Sequence, residues 1–326
     1  MKRRAVALMI LGLFLSGMAA AEVLWFKGNT HCHTTNSDGD LPPRQVVRWY
    51  HDHGYNFLVI TDHNLLTDPR YLDTDERDNF LLIPGEEVSD SHKDKPIHLC
   101  AINISQNIPP QRGDTIASTL QNNVDAIVRQ GGLAQLNHPN WKWAFSDKEM
   151  AQVKNARLVE IYNFSTGCNN FGAGGNRGME EVWDRVLSKG VLMYGIASDD
   201  AHDYTGEFSS YKSNPGTGWI MVKAPVLTTT DIVGAIENGQ FYSTTGLILK
   251  DVQISDSGYR VDIEANSETR YTTTFIGKDG RILKEVFGPS AVYNFKGDEM
   301  YVRARIFASS GRFACTQPVF LKTTSE

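Results

Sequence analysis

The chain has 326 residues, 41% of them hydrophobic and 21% charged, with a formal net charge of −6. That apolar content supports a packed core and excludes a disordered or collagen-like chain. The acidic balance implies no nucleic-acid partner, since such binding neutralises phosphates with Lys and Arg. The length suits one large domain with a smaller one.

Lys2, Arg3 and Arg4 precede an apolar run at 5–15 and then Ala19-Ala20-Ala21. This is the three-part layout of a secretory signal peptide, with cleavage expected before Glu22. The run is shorter than the ~20 residues a membrane span needs, and no Cys stands at the cut. The expectation is an exported protein, periplasmic or secreted, with no stable membrane anchor. Losing residues 1–21 removes three positive charges and no negative ones, so the net charge moves from −6 to −9.

From there to residue 246, short apolar runs alternate with helical patterns. The runs of strand length are 23–26, 57–60, 80–83, 97–101, 133–136, 158–161, 191–197 and 219–222. Helices are expected over 42–53, from a cap at Asp114 to Gly131, around 179–190, and from about Asp231 to Gly239, each with start and stop signals. Several strand runs are apolar throughout, as strands buried on both faces are. The alternation predicts an α/β fold with a mainly parallel sheet, either open or closed into a barrel.

After Gly246 short β-type runs are separated by Asp-Ser-Gly, Lys-Asp-Gly and Lys-Gly-Asp. Strict alternation in Tyr301-Val-Arg-Ala-Arg-Ile306 marks a half-buried strand. Three units follow: a signal peptide at 1–21, an α/β domain at 22–246 and a small antiparallel β domain at 247–326. Four cysteines, Cys32, Cys100, Cys168 and Cys315, allow three full disulfide connectivities in an exported chain and require none.

The histidines carry the chemistry. Of nine, six lie within or just after a strand run beside other polar residues: His31, His33, His63, His98, His138 and His202. Glu86, Glu87, Asp199 and Asp200 occupy similar places. Strand C-termini of parallel α/β folds converge on one face, where active sites are built. In His31-Cys32-His33 and Asp200-Ala201-His202, residues i and i+2 point the same way on an extended chain. Cys32 should therefore face away. Imidazole with carboxylate suits zinc, iron or manganese. His51, His53 and His92 fall in a helix or polar loop and read as surface residues.

Together with Ser37-Asp38-Gly39, Thr61-Asp62-His63, Gly85-Glu86-Glu87, Asn137-His138-Pro139 and Ser198-Asp199-Asp200-Ala201-His202, these motifs resemble the PHP (polymerase and histidinol phosphatase) metallohydrolases over residues 25–245. The resemblance implies a distorted barrel of seven parallel strands, here followed by the small β domain. It implies two or three divalent metal ions: one held by His31, His33, Glu87 and Asp200, a second sharing Glu87 with His98 and His138, and a third on Asp38, His63 and His202. Asp38 stands where some members carry His. The motif spacing favours Glu87 over Glu86 and Asp200 over Asp199.

The reaction class implied is hydrolysis of a phosphomonoester or phosphodiester by water activated between metals ~3.5–4 Å apart. Asp62 and His202 are the candidates for moving protons; Asp62 could instead hold a ligand His in place. Arg177, in the Gly-rich loop 171–178, is the first candidate for an anion contact, with Lys142 second. Asn163 and Glu160 are placed to line the pocket or support ligands. Two alternatives stand beside the exported phosphoesterase. One is a metal-dependent hydrolase of carboxyl or carbamate esters, favoured by Trp141, Trp143 and Phe145 beside His138. The other is a non-catalytic metal-binding or interaction protein, for which missing ligands are expected. The sequence does not specify an oligomeric state.

Overall fold

A computed structural model describes residues 24–72 and 79–321; the expected signal segment at 1–21 lies outside them. Strand β1 (Leu24–Asn29) leads into α1 (Pro43–Asp52), β2 (Phe57–Val59) and β3 (Leu81–Ile83). A hairpin of β4 (Gly85–His92) and β5 (Lys95–Ile102) follows. Next come α2 (Ile116–Arg129), β6 (Leu133–Leu136), the one-turn α3 (Asp147–Met150), β7 (Leu158–Asn163), α4 (Met179–Leu187), β8 (Tyr194–Ser198), β9 (Trp219–Ala224), α5 (Thr229–Glu237) and β10 (Phe241–Thr244).

Local chemistry explains the boundaries. Helix α1 opens on proline and buries Val46, Val47 and Tyr50. Thr115, rather than Asp114, caps α2: its hydroxyl accepts from Ser118 N while Ser118 Oγ accepts from Thr115 N. Helix α5 starts two residues before Asp231 because the Thr228 side chain takes up the Asp231 N–H. Glycine at 131 adopts φ +78 and ends the α2 segment, a conformation other residues rarely reach.

The strands do not close into one seven-stranded parallel barrel. They fall in two separate sheets, β3-β2-β1-β9-β10 and β4-β5-β6-β7-β8, with no strand ladder joining one to the other among the described residues. Pairing is parallel for β1–β2–β3 and β6–β7–β8 but antiparallel for β4–β5–β6 and β1–β9–β10. The two residues between β4 and β5 explain part of this, since a parallel pair needs a crossover of a dozen residues or more. Among the described residues, the isolated parallel bridges Cys32↔Ala201 and His63↔Glu87 link the two sheets, and Ser243 Oγ of β10 donates to the Gly195 carbonyl of β8.

The tail comprises β11 (Leu249–Ser255), β12 (Gly258–Ile263), β13 (Tyr271–Gly277), β14 (Arg281–Phe287), β15 (Ser290–Asn294), β16 (Tyr301–Ala308), β17 (Phe313–Thr316) and β18 (Val319–Phe320). Strands β11-β12-β15 form a separate antiparallel sheet. β14-β13-β16-β17 continue the first sheet of the α/β part through the antiparallel pair β17–β10. Tyr242, Leu249, Tyr259, Val261, Phe275 and Ile306 fill the core between these layers. A buried ion pair adds to the join. Arg303 of β16 donates to both carboxylate oxygens of Asp184 on α4 at 2.7 Å and to Glu180 at 3.1 Å, with Trp183 beneath the guanidinium.

All four cysteines are free and buried. No helix among the described residues is long and apolar enough to cross a membrane.

Candidate metal centre

The ends of the strands bring the expected ligands together around one carboxylate. Glu87, on β4, is fully buried. Its Oε1 lies 3.3 Å from His31 Nε2, 3.2 Å from His98 Nδ1 and 3.3 Å from His138 Nε2. Its Oε2 lies 2.7 Å from His63 Nδ1 and 3.7 Å from His33 Nε2. Asp200 Oδ1 sits 3.1 Å from Nε2 of both His31 and His33. At the open edge, Asp38 is 3.5 Å from His63 Nε2 and 3.4 Å from His202 Nε2.

Candidate donors fall into overlapping groups: His31 with His33 and Asp200; His31 with Glu87 and His138; His63 with Glu87 and His98; and His33 with Asp38, His63 and His202. The donor set fits divalent cations. Three buried ring nitrogens, His31 Nε2, His33 Nε2 and His98 Nδ1, make no hydrogen bond although carboxylate oxygens surround them. Buried polar atoms normally find partners, so orphans converging on one point mark a place for a cation.

Neighbouring side chains aim the ligands from behind. His31 Nδ1 is 2.7 Å from Glu160 Oε1, which leaves Nε2 facing the cluster. Glu160 also accepts from Ser198 Oγ, from the His138 backbone N–H and from Asn163 Nδ2. Glu160 and Asn163 would face opposite sides of a regular strand. A register shift in β7 between Glu160 and Tyr162 turns both toward the ligands. His202 Nδ1 donates to the Asp200 carbonyl at 2.8 Å, and His63 Nδ1 lies 2.6 Å from Ser89 Oγ. Two ligands carry backbone strain: φ is +29 at His138 and +48 at Asp200. Such outliers cluster at functional sites.

The electrostatics follow from burial set against opposite charge. Burial would lift the Glu87 and Asp200 carboxyls, but the imidazoles around them hold both well below the usual carboxylate range. Burial opposes charge on His63 and His202 as well, yet Asp38, with Glu87 at His63 and Asp200 at His202, raises them to about 10 and about 9. His33, more deeply buried, is lowered to about 4.

Other expected positions fall elsewhere. Glu86 points to the opposite side of β4, where it accepts the Ile108 N–H at 2.6 Å and burial raises it to about 7. Asp199 accepts from Asn29, Tyr50 and the backbone of 216–218, outside the cluster. Cys32 packs with Val46, Val47 and Tyr50, as the strand alternation requires.

Asp62 does not face the cavity. Its carboxylate accepts from Thr34 N and Oγ1, Ser37 Oγ and Thr67 Oγ1. Ser37 Oγ in turn lies 3.3 Å from His33 Nδ1. Asp62 thus braces a ligand loop, and proton transfer by it has no geometric basis. Asn163 is equally enclosed: its amide nitrogen serves Glu160 and Asp200, and its oxygen serves Ser165 N and Cys168 Sγ. It positions ligands and leaves no polar atom for a substrate. Arg177, just before α4, pairs with Glu181 of that helix and faces another cleft, while the Lys142 ammonium lies over the Trp141 ring.

The cavity over the cluster has a volume of about 240 Å³. Besides ligands it is lined by Trp141, Ser165, Thr166 and Cys168, and no Lys or Arg is among its described lining residues. The last three escaped sequence reasoning because a Ser-Thr-Gly-Cys loop carries no signature; only its place after β7 could have flagged it.

No family model matches the sequence. A stretch of 84 residues is 30% identical to a 5'-3' exoribonuclease of Haemophilus influenzae, covering 26% of this chain. The aligned stretch spans about a third (31%) of the length of that curated relative. Among solved structures, a two-domain protein of Bacteroides vulgatus described as containing a PHP-like metal-dependent phosphoesterase aligns with a TM-score of 0.52 and 16% identity. That alignment covers 87% of this chain and 90% of the other. A metal-dependent phosphoesterase of Bifidobacterium adolescentis aligns over 54% of this chain, at 16% identity and a TM-score of 0.40. The chain is thus similar in fold, over most of its length, to a two-domain protein described as PHP-like, and its ordered histidine and carboxylate motifs gather in one cluster.

Proposed function

We propose that the chain is an exported metal-dependent phosphoesterase acting on small phosphomonoesters or phosphodiesters. The observation that carries this reading is the convergence of six imidazoles and three carboxylates with buried, unpartnered nitrogens at their centre. Two or three divalent ions, zinc, manganese or iron, would be held by His31, His33, Glu87 and Asp200, by Glu87 with His98 and His138, and by Asp38, His63 and His202. When bound, they supply Lewis-acid polarisation of the ester and a water acidified toward neutral pH.

The chain's own residues do the positioning. Glu160, Ser37 and Ser89 each hold one ligand ring in orientation, and Asn163 holds the Asp200 and Glu160 carboxylates. His63 and His202, 30% and 22% exposed, are the candidate ligands that open to the cavity edge, where a leaving group would depart. With no Lys or Arg in the described lining, an anionic ester would rely on bound cations for charge. The stretch shared with an exoribonuclease adds support for a phosphoester substrate. Export rests on the N-terminal charge and apolar pattern.

That same lack of cationic side chains, with Trp141 on the wall, favours the second reading: hydrolysis of an uncharged carboxyl or carbamate ester. Purification without chelators, metal analysis, and assays on phosphomonoester, phosphodiester and carboxyl-ester substrates decide between them. Two or three metals per chain are expected, with phosphoester turnover abolished in His31→Ala and Asp200→Ala. Turnover of carboxyl esters alone would establish the second reading, and absence of bound metal after supplementation would remove both.

A further inference from the structure

Ligands account for one side of the 240 Å³ cavity; Trp141, Ser165, Thr166 and Cys168 form the other. This second wall comes from the turn after β6 and the loop after β7, which are clamped together. Asn140 Nδ2 donates to the carbonyls of Asn169 at 3.1 Å and Arg177 at 2.8 Å, and Asn169 Nδ2 donates back to the Asn140 carbonyl at 3.1 Å. The backbone is held in an uncommon shape to make these bonds. φ is +29 at His138, +51 at Lys142, +51 at Trp143 and +47 at Asn169. Non-glycine residues in this region persist only where their surroundings over-determine them, and the places where that happens are often ligand clamps.

The consequence of the strained turn is the position of Trp141. Its ring lies 5.5 Å from that of His98 and 5.2 Å from that of His138, the latter edge to face. The Lys142 ammonium lies 4.7 Å from the ring centroid. On its edge, Trp141 Cδ1 lies beside Gly167, where an added methyl group would make ordinary van der Waals contact at 3.5 Å. Gly167 itself has φ +86, a backbone conformation that favours glycine whatever the space around it. Trp141 is the one extended apolar surface among the described lining residues that lies beside the ligands.

We propose that Trp141 is a specificity-determining residue: it holds the organic part of a compact, ring-bearing phosphoester against its indole while the ester group lies over the ligand cluster. This rests on the phosphoesterase reading. The volume is below the usual range of ligand pockets, which suits one ring and a phosphate better than a threaded polymer. Ser165 and Thr166 line the cavity as its polar side, with Ser165 Oγ held 2.8 Å from Ser213 Oγ. Aromatic contact of this kind tolerates many ring chemistries, because every planar ring offers a π-face.

The test compares benzyl phosphate with ethyl phosphate, both alkyl esters, on the metal-loaded wild type, Trp141→Ala and Trp141→Phe. Metal content and the Kd of inorganic phosphate, by calorimetry, are measured alongside. Trp141→Ala should raise KM for benzyl phosphate roughly 10- to 100-fold with kcat little changed, and move KM for ethyl phosphate by a much smaller factor. Trp141→Phe should restore most of the loss. Equal effects on both esters, or loss of metal or phosphate binding in Trp141→Ala, would overturn the role and leave Trp141 as a support for His98 and His138. A wild type that neither binds phosphate nor turns over either ester overturns the phosphoesterase reading and this inference with it.

Discussion

At the scale of single residues, Glu87 is the pivot: five imidazole nitrogens lie within 3.7 Å of its two oxygens. The surrounding carboxylates keep protons on His63 and His202, raised to about 10 and about 9 in the metal-free chain. A metal ligand must be neutral, so loading a cation at the Asp38 edge expels those protons. Below pH 9 the cation competes with them, and affinity should climb with pH until about 9 to 10 and then level off. Metal titration against a competing chelator between pH 6 and 10 checks this; an affinity flat over that range would show that His63 and His202 are not ligands. Histidine positions were legible because each lies within or just after an apolar run that the fold must gather. Roles were less legible. Asp62 and Asn163 look like site residues in the sequence, but hydrogen bonds decide what their oxygens and nitrogens do, and partners such as Thr34, Thr67 and Cys168 are visible only in space.

At the scale of elements, the ligand loops are held by polar clamps rather than by hydrophobic packing. Asp62 gathers Thr34, Ser37 and Thr67 and through Ser37 sets the ring of His33. Asp62→Asn should weaken metal binding by roughly 10- to 100-fold, as loss of such supporting partners does. Both limbs of the pH–rate profile should remain. A missing limb in that variant would return Asp62 to proton transfer. The shift in β7 that turns Glu160 and Asn163 to the same side is a second such device. Strand β4 was missed in the sequence because Gly-Glu-Glu-Val-Ser-Asp-Ser-His has none of the apolar character of a strand. It forms because the adjacent β5 pairs with it along eight positions, from Gly85↔Ile102 to His92↔Lys95.

At the scale of the whole molecule, the tail is part of the framework. Pairing of β17 with β10 carries the first sheet across the expected boundary at 246, and Arg303 reaches from β16 to Asp184 and Glu180 on α4. Arg303 is 1% exposed. Breaking a buried pair strands its partner's charge, so Arg303→Met should cost roughly 3–5 kcal/mol, and adding Asp184→Asn should recover part of it. Chemical denaturation of the two variants measures this; a single-variant loss below 1 kcal/mol would show that the pair contributes little to the join. The sequence alone pointed to the mixed α/β class, the later β region and the set of candidate ligand side chains, because hydrophobic period and residue chemistry are local properties. Whether the strands closed into a barrel, and what Asp62, Asn163 and Arg177 touch, were decided by tertiary structure. Those outcomes depend on strand pairing across long separations and on hydrogen-bond partners brought together only by the fold.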